Sequence, residues 1–284
     1  MSVFPRTRVG GQSVSRMIVG TNWFLGWSHC TPAKDTYIKE NVATRKVIAD
    51  ILEVFFKAGV DTLMGPIIVD PLSEAIEEAQ DRTGVEAIIV STPWYTVGPE
   101  TPEQGLDLGE VEKVLDEEVR RNVRISMPHQ ATTDNLVDRC THTIRHMDVL
   151  CHMMRERGLI PGLSTHMPNT IVYADESGLD VETYIAVYNT MGFLMQVEVD
   201  WVHRIIHNAK KPVMTIKPMA AGQVRPFQGL TFVWNTIRDQ DMVTVGTMSP
   251  REAAEVIEIS LDTLSKRAFS APLQETRSKH SLKT

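Results

Sequence analysis

Four ionisable residues stand where this chain could do chemistry: Asp61, His129, His166 and Lys217, each in or directly after a short apolar run (AGVDTL, RISMPH, GLSTH, VMTIK). A histidine loses or gains its proton near neutral pH, so His129 and His166 suit a general acid or base, or a hydrogen-bond donor to a substrate oxygen. Lysine at the end of a buried run must find a carboxylate or shed its proton, which makes Lys217 a salt-bridge member or a nucleophilic amine. For Asp61 the choices are proton transfer or the capping of a nearby loop. A divalent metal is an alternative use of the same residues, with His129 and His166 as ligands and Asp61 as third donor.

These residues are far apart in sequence, so a fold has to bring them together. Eight runs read as strands: Met17-Gly20, Val60-Leu63, Ala87-Ser91, Val123-Pro128, Pro161-Ser164, Tyr184-Asn189, Val213-Lys217 and Met242-Gly246. Between them apolar residues recur at helical spacing, as in Val47, Ile51, Val54 and Phe55. Alternation of this kind implies βαβ units, and eight of them predict an α/β fold, a parallel (β/α)8 or TIM barrel formed as a single domain from residues 1–284. An open doubly wound sheet is the alternative. In a barrel the strand ends converge on one mouth, which gathers Asn22, Asp61, Ser91, His129, Ser164, His166, Asn189, Lys217 and Thr247. Residues 4–16, FPRTRVGGQSVSR, carry a Gly-Gly turn and predict an N-terminal β-hairpin that plugs the other end.

Two long connections follow strands and fall on the mouth side. The first, from Thr21 to about Asn41, holds Trp23, Phe24, Trp27, His29 and Tyr37; the second, Pro93 to Gly105, holds Trp94 and Tyr95. Asn22, Trp23, Trp27, Trp94 and Tyr95 are therefore candidates for the wall of a substrate site, or they seal the loops against the rim. Near the C-terminus, Ser249-Pro250-Arg251-Glu252 is a capping box with proline at the first helical position. A helix starting there would turn free N–H groups toward Gly246 and Thr247, a place for a phosphate to which Arg251 would add charge; the plainer reading is an ordinary capped helix.

Bulk properties narrow the partners. With a net charge of -7 and no basic run, the chain lacks the footprint of a nucleic-acid binder, so a small-molecule substrate is expected. The start MSVFPRTRVGG lacks a signal-peptide core, and no stretch approaches the roughly 18 apolar residues of a membrane span, which predicts a soluble cytoplasmic protein. Three cysteines without CxxC spacing encode neither a disulfide framework nor a zinc knuckle: Cys140 and Cys151 read as helical core thiols, Cys30 as a loop thiol. A polar tail, 266–284, is expected to be mobile or to cover a neighbouring surface. Oligomeric state is not encoded.

From the hairpin and first strand (VGGQSVSRMIVGTNWFLG), through AGVDTL, PHQ, RERGLIPGLSTH and VYN, to KPVMTIKPMAAGQV and VTVGTMSPREAAEVIE, the chain resembles the aldo-keto reductases. The resemblance implies a reductase that binds NADPH across the barrel mouth and passes hydride to a small carbonyl or sugar-like substrate, using an Asp, Tyr, Lys and His set. It places Asp61 and His129 at the family's Asp and His. The tyrosine position falls on Pro66, and the lysine position falls within Ser91, Thr92 and Pro93, so two of the four are missing. An altered proton donor, His129 or Tyr95, would be required. For the cofactor the resemblance implies Ser164, Asn189, the segment Lys217-Gly222 and the helix start at Ser249, although Thr165-His166 replaces the usual asparagine. The alternatives are a lyase, isomerase or hydrolase barrel acting on a sugar-like or phosphorylated molecule, and a non-catalytic binding protein on this scaffold. No HxH pair follows the first strand, which counts against the binuclear hydrolases among such barrels.

Overall fold

In the computed structural model, which describes residues 3–66, 70–98 and 105–269, a hairpin of β1 (Arg6–Val9) and β2 (Gln12–Ser15) leads into β3 (Met17–Gly20). There follow α1 (Pro32–Asn41), α2 (Arg45–Lys57), β4 (Thr62–Gly65), α3 (Leu72–Thr83), β5 (Ile88–Ser91), α4 (Leu108–Arg120), β6 (Val123–Ser126) and α5 (Gln130–Leu136). A small antiparallel pair, β7 (Val137–Asp138) and β8 (Thr143–Ile144), precedes α6 (Met147–Glu156). The chain continues with β9 (Ile160–Pro161), β10 (Leu163–Ser164), α7 (Asn169–Ser177), β11 (Tyr184–Val187), α8 (Val199–Asn208) and β12 (Val213–Ile216). It closes with α9 (Pro226–Thr236), β13 (Met242–Val245) and α10 (Pro250–Leu264).

The main sheet runs β10-β11-β12-β13-β3-β4-β5-β6-β9 with every neighbour parallel. Only Gly162 separates β9 from β10, so they are two halves of one strand on which the sheet both begins and ends. The cylinder is closed and has eight strands, as the sequence pattern predicts. Glycine is required at the break: a Cβ there would lie 2.8 Å from the Met127 side chain and 2.9 Å from that of Thr183.

Period-two alternation sorts the strand residues. Ile18, Met64, Val90, Ile125, Ile185, Met214 and Met242 form the barrel interior together with Met127. Their neighbours Met17, Val19, Leu63, Ile89, Val213 and Val243 pack with the helices, and so does Val123, which a register shift between β5 and β6 sets apart from Ile125. Flexible methionines fill the irregular interior. From below, Val9 and Val14 of the hairpin join that interior, and burying each contributes about 1.5–3 kcal/mol. Gly10 and Gly11, at φ 54° and 84°, supply the left-handed turn the hairpin needs.

Two sequence expectations are corrected. The second barrel strand begins at Thr62, two residues later than Val60, so Asp61 precedes the strand and sits at the hairpin end, where its Oδ2 pairs with Arg6 Nη1 at 2.7 Å. Cys140 is exposed on the β7–β8 turn, where its N–H donates to Asp138; Cys151 is buried in α6 and Cys30 is exposed. Of the polar tail, residues 270–284 lie outside the described residues. No helix among the described residues is long and apolar enough to cross a membrane.

Candidate functional site

The C-terminal ends of the strands enclose a cavity of about 1020 Å³. The β3–α1 connection supplies Asn22, Trp23, Trp27 and His29; β4 ends in Met64, Gly65 and Pro66; β5 ends in Ser91, Thr92, Pro93 and Trp94. His129 comes from the end of β6, Ser164 and His166 from β10, Lys217 and Gly222 from the loop after β12, and Gly246 and Thr247 from the end of β13.

Lys217 is the pivot of this arrangement. Among the described residues its amine has no hydrogen bond or ion pair, and burial alone lowers its pKa from 10.5 to about 8. Its backbone is also unusual: Lys217, Ala220 and Ala221 hold φ values of 59°, 47° and 55°, in the left-handed region that costs non-glycine residues about 1 kcal/mol or more each. The strained turn is fixed by the N–H of Ala220 donating to Lys217 O and those of Gly222 and Val224 donating to Met219 O. Across the mouth the Cys30 thiol donates to Ala221 O at 3.0 Å.

Three imidazoles surround the amine. His129 caps α5, its Nδ1 accepting from Ala131 N at 3.2 Å, which leaves the ring proton on Nε2. Its ring lies against Trp94, with centroids 5.1 Å apart and planes 28° from parallel. His166 follows a segment pinned by Asp134 of α5, which accepts from Thr165 Oγ1 at 2.5 Å and from His166 N at 3.1 Å. His29 takes φ 58° in the β3–α1 connection, beside Ser28, whose hydroxyl and N–H both donate to Asp35. Burial is the main cause that depresses all three imidazoles, and Lys217 is the next; His166 falls to about 4, and for His29 the Asp35 carboxylate pulls the other way. At neutral pH the imidazoles are mainly neutral beside a part-charged amine.

Sequence reasoning missed two residues here. His29 sits in mid-loop with no strand end to mark it, and the length of that aromatic loop was its only signal. Asp134 acts from a helix interior, and nothing in its spacing sets it apart.

Of the remaining candidates, Asn22, Trp23, Trp27, Trp94, Ser164, Gly222, Gly246 and Thr247 line the cavity. The Thr247 hydroxyl is buried without a partner. Five lie elsewhere. Asp61 is at the opposite end of the barrel. Tyr95 is 1% exposed in the core, its hydroxyl without a partner and held protonated by burial and by Glu118, so it cannot stand in as a proton donor at the mouth. Asn189 is fully buried, and its side chain is spent on the loop after β11, accepting from Met191 N and Phe193 N and donating to Phe193 O. Ser249 caps α10 by accepting from Glu252 N, and Arg251 is exposed; neither lines the cavity. Instead Glu252 and Glu255 of α10 do, Glu252 accepting from Met248 N at 2.7 Å. A carboxylate thus holds the ground where a phosphate was expected.

Among the described residues no three His, Cys, Asp or Glu side chains are grouped as a metal ion requires. The pairing of His129 and His166 with Asp61 fails because Asp61 is at the far end, and His129 Nδ1 is committed to its helix cap. What the mouth offers is a part-neutral amine, three neutral imidazoles and aromatic walls, a set suited to carbonyl and proton-transfer chemistry.

No protein-family model matches this sequence, and no curated protein matches it. Among solved structures, one described as a putative aldo-keto reductase from Pseudomonas aeruginosa is 16% identical over 93% of this chain and 98% of its own, with a TM-score of 0.64. An aldo/keto reductase from Brucella melitensis is 11% identical over 93% and 99%, at 0.58. An orotidine 5'-phosphate decarboxylase from Pyrococcus horikoshii is 12% identical over 88% and 99%, at 0.50. Proteins named for different reactions share the architecture, so at such identities the likeness establishes the fold: the chain is a TIM barrel.

Proposed function

We propose that this barrel is an enzyme acting on a small carbonyl compound, with the Lys217 amine as the group that engages the carbonyl carbon. The observation that carries the proposal is the half-buried Lys217 at a strand end, without a partner among the described residues and lowered by burial to a pKa of about 8. At pH 7 about a tenth of such an amine is neutral and nucleophilic, against less than one in a thousand for an ordinary lysine. The neutral amine adds to the carbonyl to give a carbinolamine. Loss of the hydroxyl as water, with protons passed through His129 and His166, leaves an imine that withdraws electrons from the adjacent carbon. Trp23, Trp27 and Trp94 would exclude water from the apolar part of the substrate.

The hydride-transfer reading fits the residues less well. Ser164, Gly222, Gly246 and Thr247 are at the cavity where the resemblance implies NADP, but Asn189 is consumed by its own loop. Arg251 faces away, Glu252 puts negative charge at the α10 start, and Tyr95 is sequestered. The residues present do not assemble the implied phosphate and proton-donor set, and no hydride step is derived.

Borohydride trapping tests the proposal. Incubation with a panel of small aldehydes, ketones and keto acids, followed by reduction, should leave a fixed mass increase on Lys217 for at least one compound, and Lys217→Met should abolish it. An empty panel, or adducts indifferent to Lys217→Met, would overturn it. NADPH titration followed by fluorescence should show no binding at high micromolar cofactor; saturable binding would restore the reductase reading.

A further inference from the structure

His29, His129, His166 and Lys217 all line the cavity and act on one another electrostatically, although they come from four separate connections, after β3, β6, β10 and β12. Such a meeting is costly. Each imidazole feels Lys217 as a like charge, and His129 and His29 both oppose protonation of His166. Among the described residues the cluster forms no ion pair: Lys217 has none, and Asp35, which weakly favours a charged His29, spends its Oδ1 on two donors of Ser28. The other charged groups of the lining are Glu252 and Glu255 of α10 and Arg225 at the start of α9, and Glu252 is bonded to Met248 N. Neither carboxylate acts on any of the three imidazoles or on Lys217 as a stabilising charge.

An uncompensated basic cluster partly withdrawn from water is a receptor for the missing charge. Burial that makes each base reluctant to hold its proton also strengthens its attraction to an anion, because the local dielectric is low for both. We infer that the substrate carries an oxyanionic group, a carboxylate or a phosphate, which seats among His29, His129 and His166 beside Lys217, and that its binding draws protons on to the cluster. This deepens the carbonyl reading and rests on it only for placing the reacting carbon next to Lys217. His129 presents Nε2–H as a donor without any change of protonation, since its Nδ1 is occupied by Ala131 N. His29 and His166 have no ring hydrogen bond among the described residues and are free to take up a proton as the anion arrives. Asp134, which fixes the backbone of His166, is a positioning residue for this subsite.

The test is calorimetric titration of the full chain with sulfate and with oxalate, neither of which changes charge between about pH 6 and pH 8. Each is run in two buffers of different ionisation enthalpy. One anion should bind with net proton uptake, and its affinity should fall about tenfold or more over that range, as protonation of an imidazole becomes dearer. Preference for sulfate marks a phosphate-bearing substrate, and preference for oxalate a carboxylate. His29→Asn, which suits the left-handed backbone, and His166→Gln should each weaken binding at least about fivefold and reduce the uptake, with the melting temperature confirming that the variants fold. Lys217→Met removes the neighbouring positive charge and should weaken anion binding, while proton uptake by the imidazoles should remain. Failure of borohydride trapping with anion binding intact would sink only the carbonyl reading. Absence of binding by both anions at about pH 6, binding without proton uptake, or binding indifferent to both histidine substitutions would overturn the inference.

Discussion

The two ends of this barrel treat charge in opposite ways. At the hairpin end, Arg6 pairs with Asp61, and the Arg16 guanidinium donates to the carbonyls of Asp241 and Arg238. Buried Asp241 accepts from Val213 N and from the backbone and guanidinium of Arg238. At the mouth, Lys217 has no partner among the described residues, three imidazoles are depressed by burial and by Lys217, and Lys217, Ala220 and Ala221 are bent into left-handed backbone. One end is satisfied and the other is kept unsatisfied. Charges that close on each other offset the cost of burying them, and an open basic cluster leaves that cost to be offset by something else.

The sharpest break in this contrast is Lys217→Met. Imine formation should disappear, a fall of about 10³-fold or more in any carbonyl-dependent turnover, while the fold gains stability. The sign follows from the direction of the shift. Because Lys217 titrates near 8 in the folded chain and near 10.5 when unfolded, the unfolded chain holds more protons between those values, and stability rises with pH across that window. Below it the buried charge is a constant cost. Methionine should therefore raise stability at pH 7 by about 1–2 kcal/mol after allowance for partial exposure, and chemical denaturation of the two proteins measures this. A destabilised variant would mean that the amine has a partner in solution.

Asp241→Ala should do the reverse. It removes the buried carboxylate that ties the Arg238 segment to the start of β12 and leaves a guanidinium short of its partner, a loss of about 3 kcal/mol. At a temperature where the variant is folded, the mass increase trapped on Lys217 should be unchanged. Loss of trapping in a folded Asp241→Ala protein would show the two ends to be coupled.

Glu118 sits between these extremes, in the wall rather than at either end. Buried on α4 with neither oxygen hydrogen-bonded, its carboxyl is raised from 4.5 to about 7, the Ser91 and Ser126 hydroxyls pulling weakly the other way. As the folded chain holds this proton more tightly, its contribution is complete below about pH 4.5 and is lost as pH rises through 7. Glu118→Gln should thus stabilise the chain by about 2 kcal/mol at alkaline pH and change little near pH 4, which denaturation across that range will read. A gain equal at both ends of the range would mean that packing, not charge, sets the difference.

How far the sequence carries this far follows from the physics of each signal. The barrel was legible because eight apolar runs alternate with amphipathic stretches, and eight βα units are the number that closes into a cylinder. His129, His166 and Lys217 were legible because they terminate runs, and run ends face the mouth. Asp61 was misplaced by a register of two residues: AGVDTLMG is apolar on both sides of the aspartate, so periodicity fixes the strand but not where it starts. Tyr95 and Asn189 read as site residues from loop position alone, yet one is turned into the core and the other hydrogen-bonds its own loop; rotamers and local turns carry no linear signature. His29 and Asp134 act through loop geometry and a helix-to-loop tie, which appear only once the chain is folded.

The smallest expected effect is also the one that tests that register. Asp61→Asn should leave anion binding and borohydride trapping untouched, because the residue precedes β4 and faces Arg6 at the plugged end. Its ion pair is partly exposed and has a supporting contact from the Thr62 hydroxyl at 3.1 Å, so its loss should cost only about 0.5–1 kcal/mol, and less at high salt. Arg6 keeps its bonds to the Ser13 hydroxyl and carbonyl, which hold the hairpin in place. If Asp61→Asn instead removed trapping while the melting temperature moved little, the strand would begin two residues earlier and the carboxylate would belong to the mouth. The division between a closed end and an open one would then be wrong at its first residue.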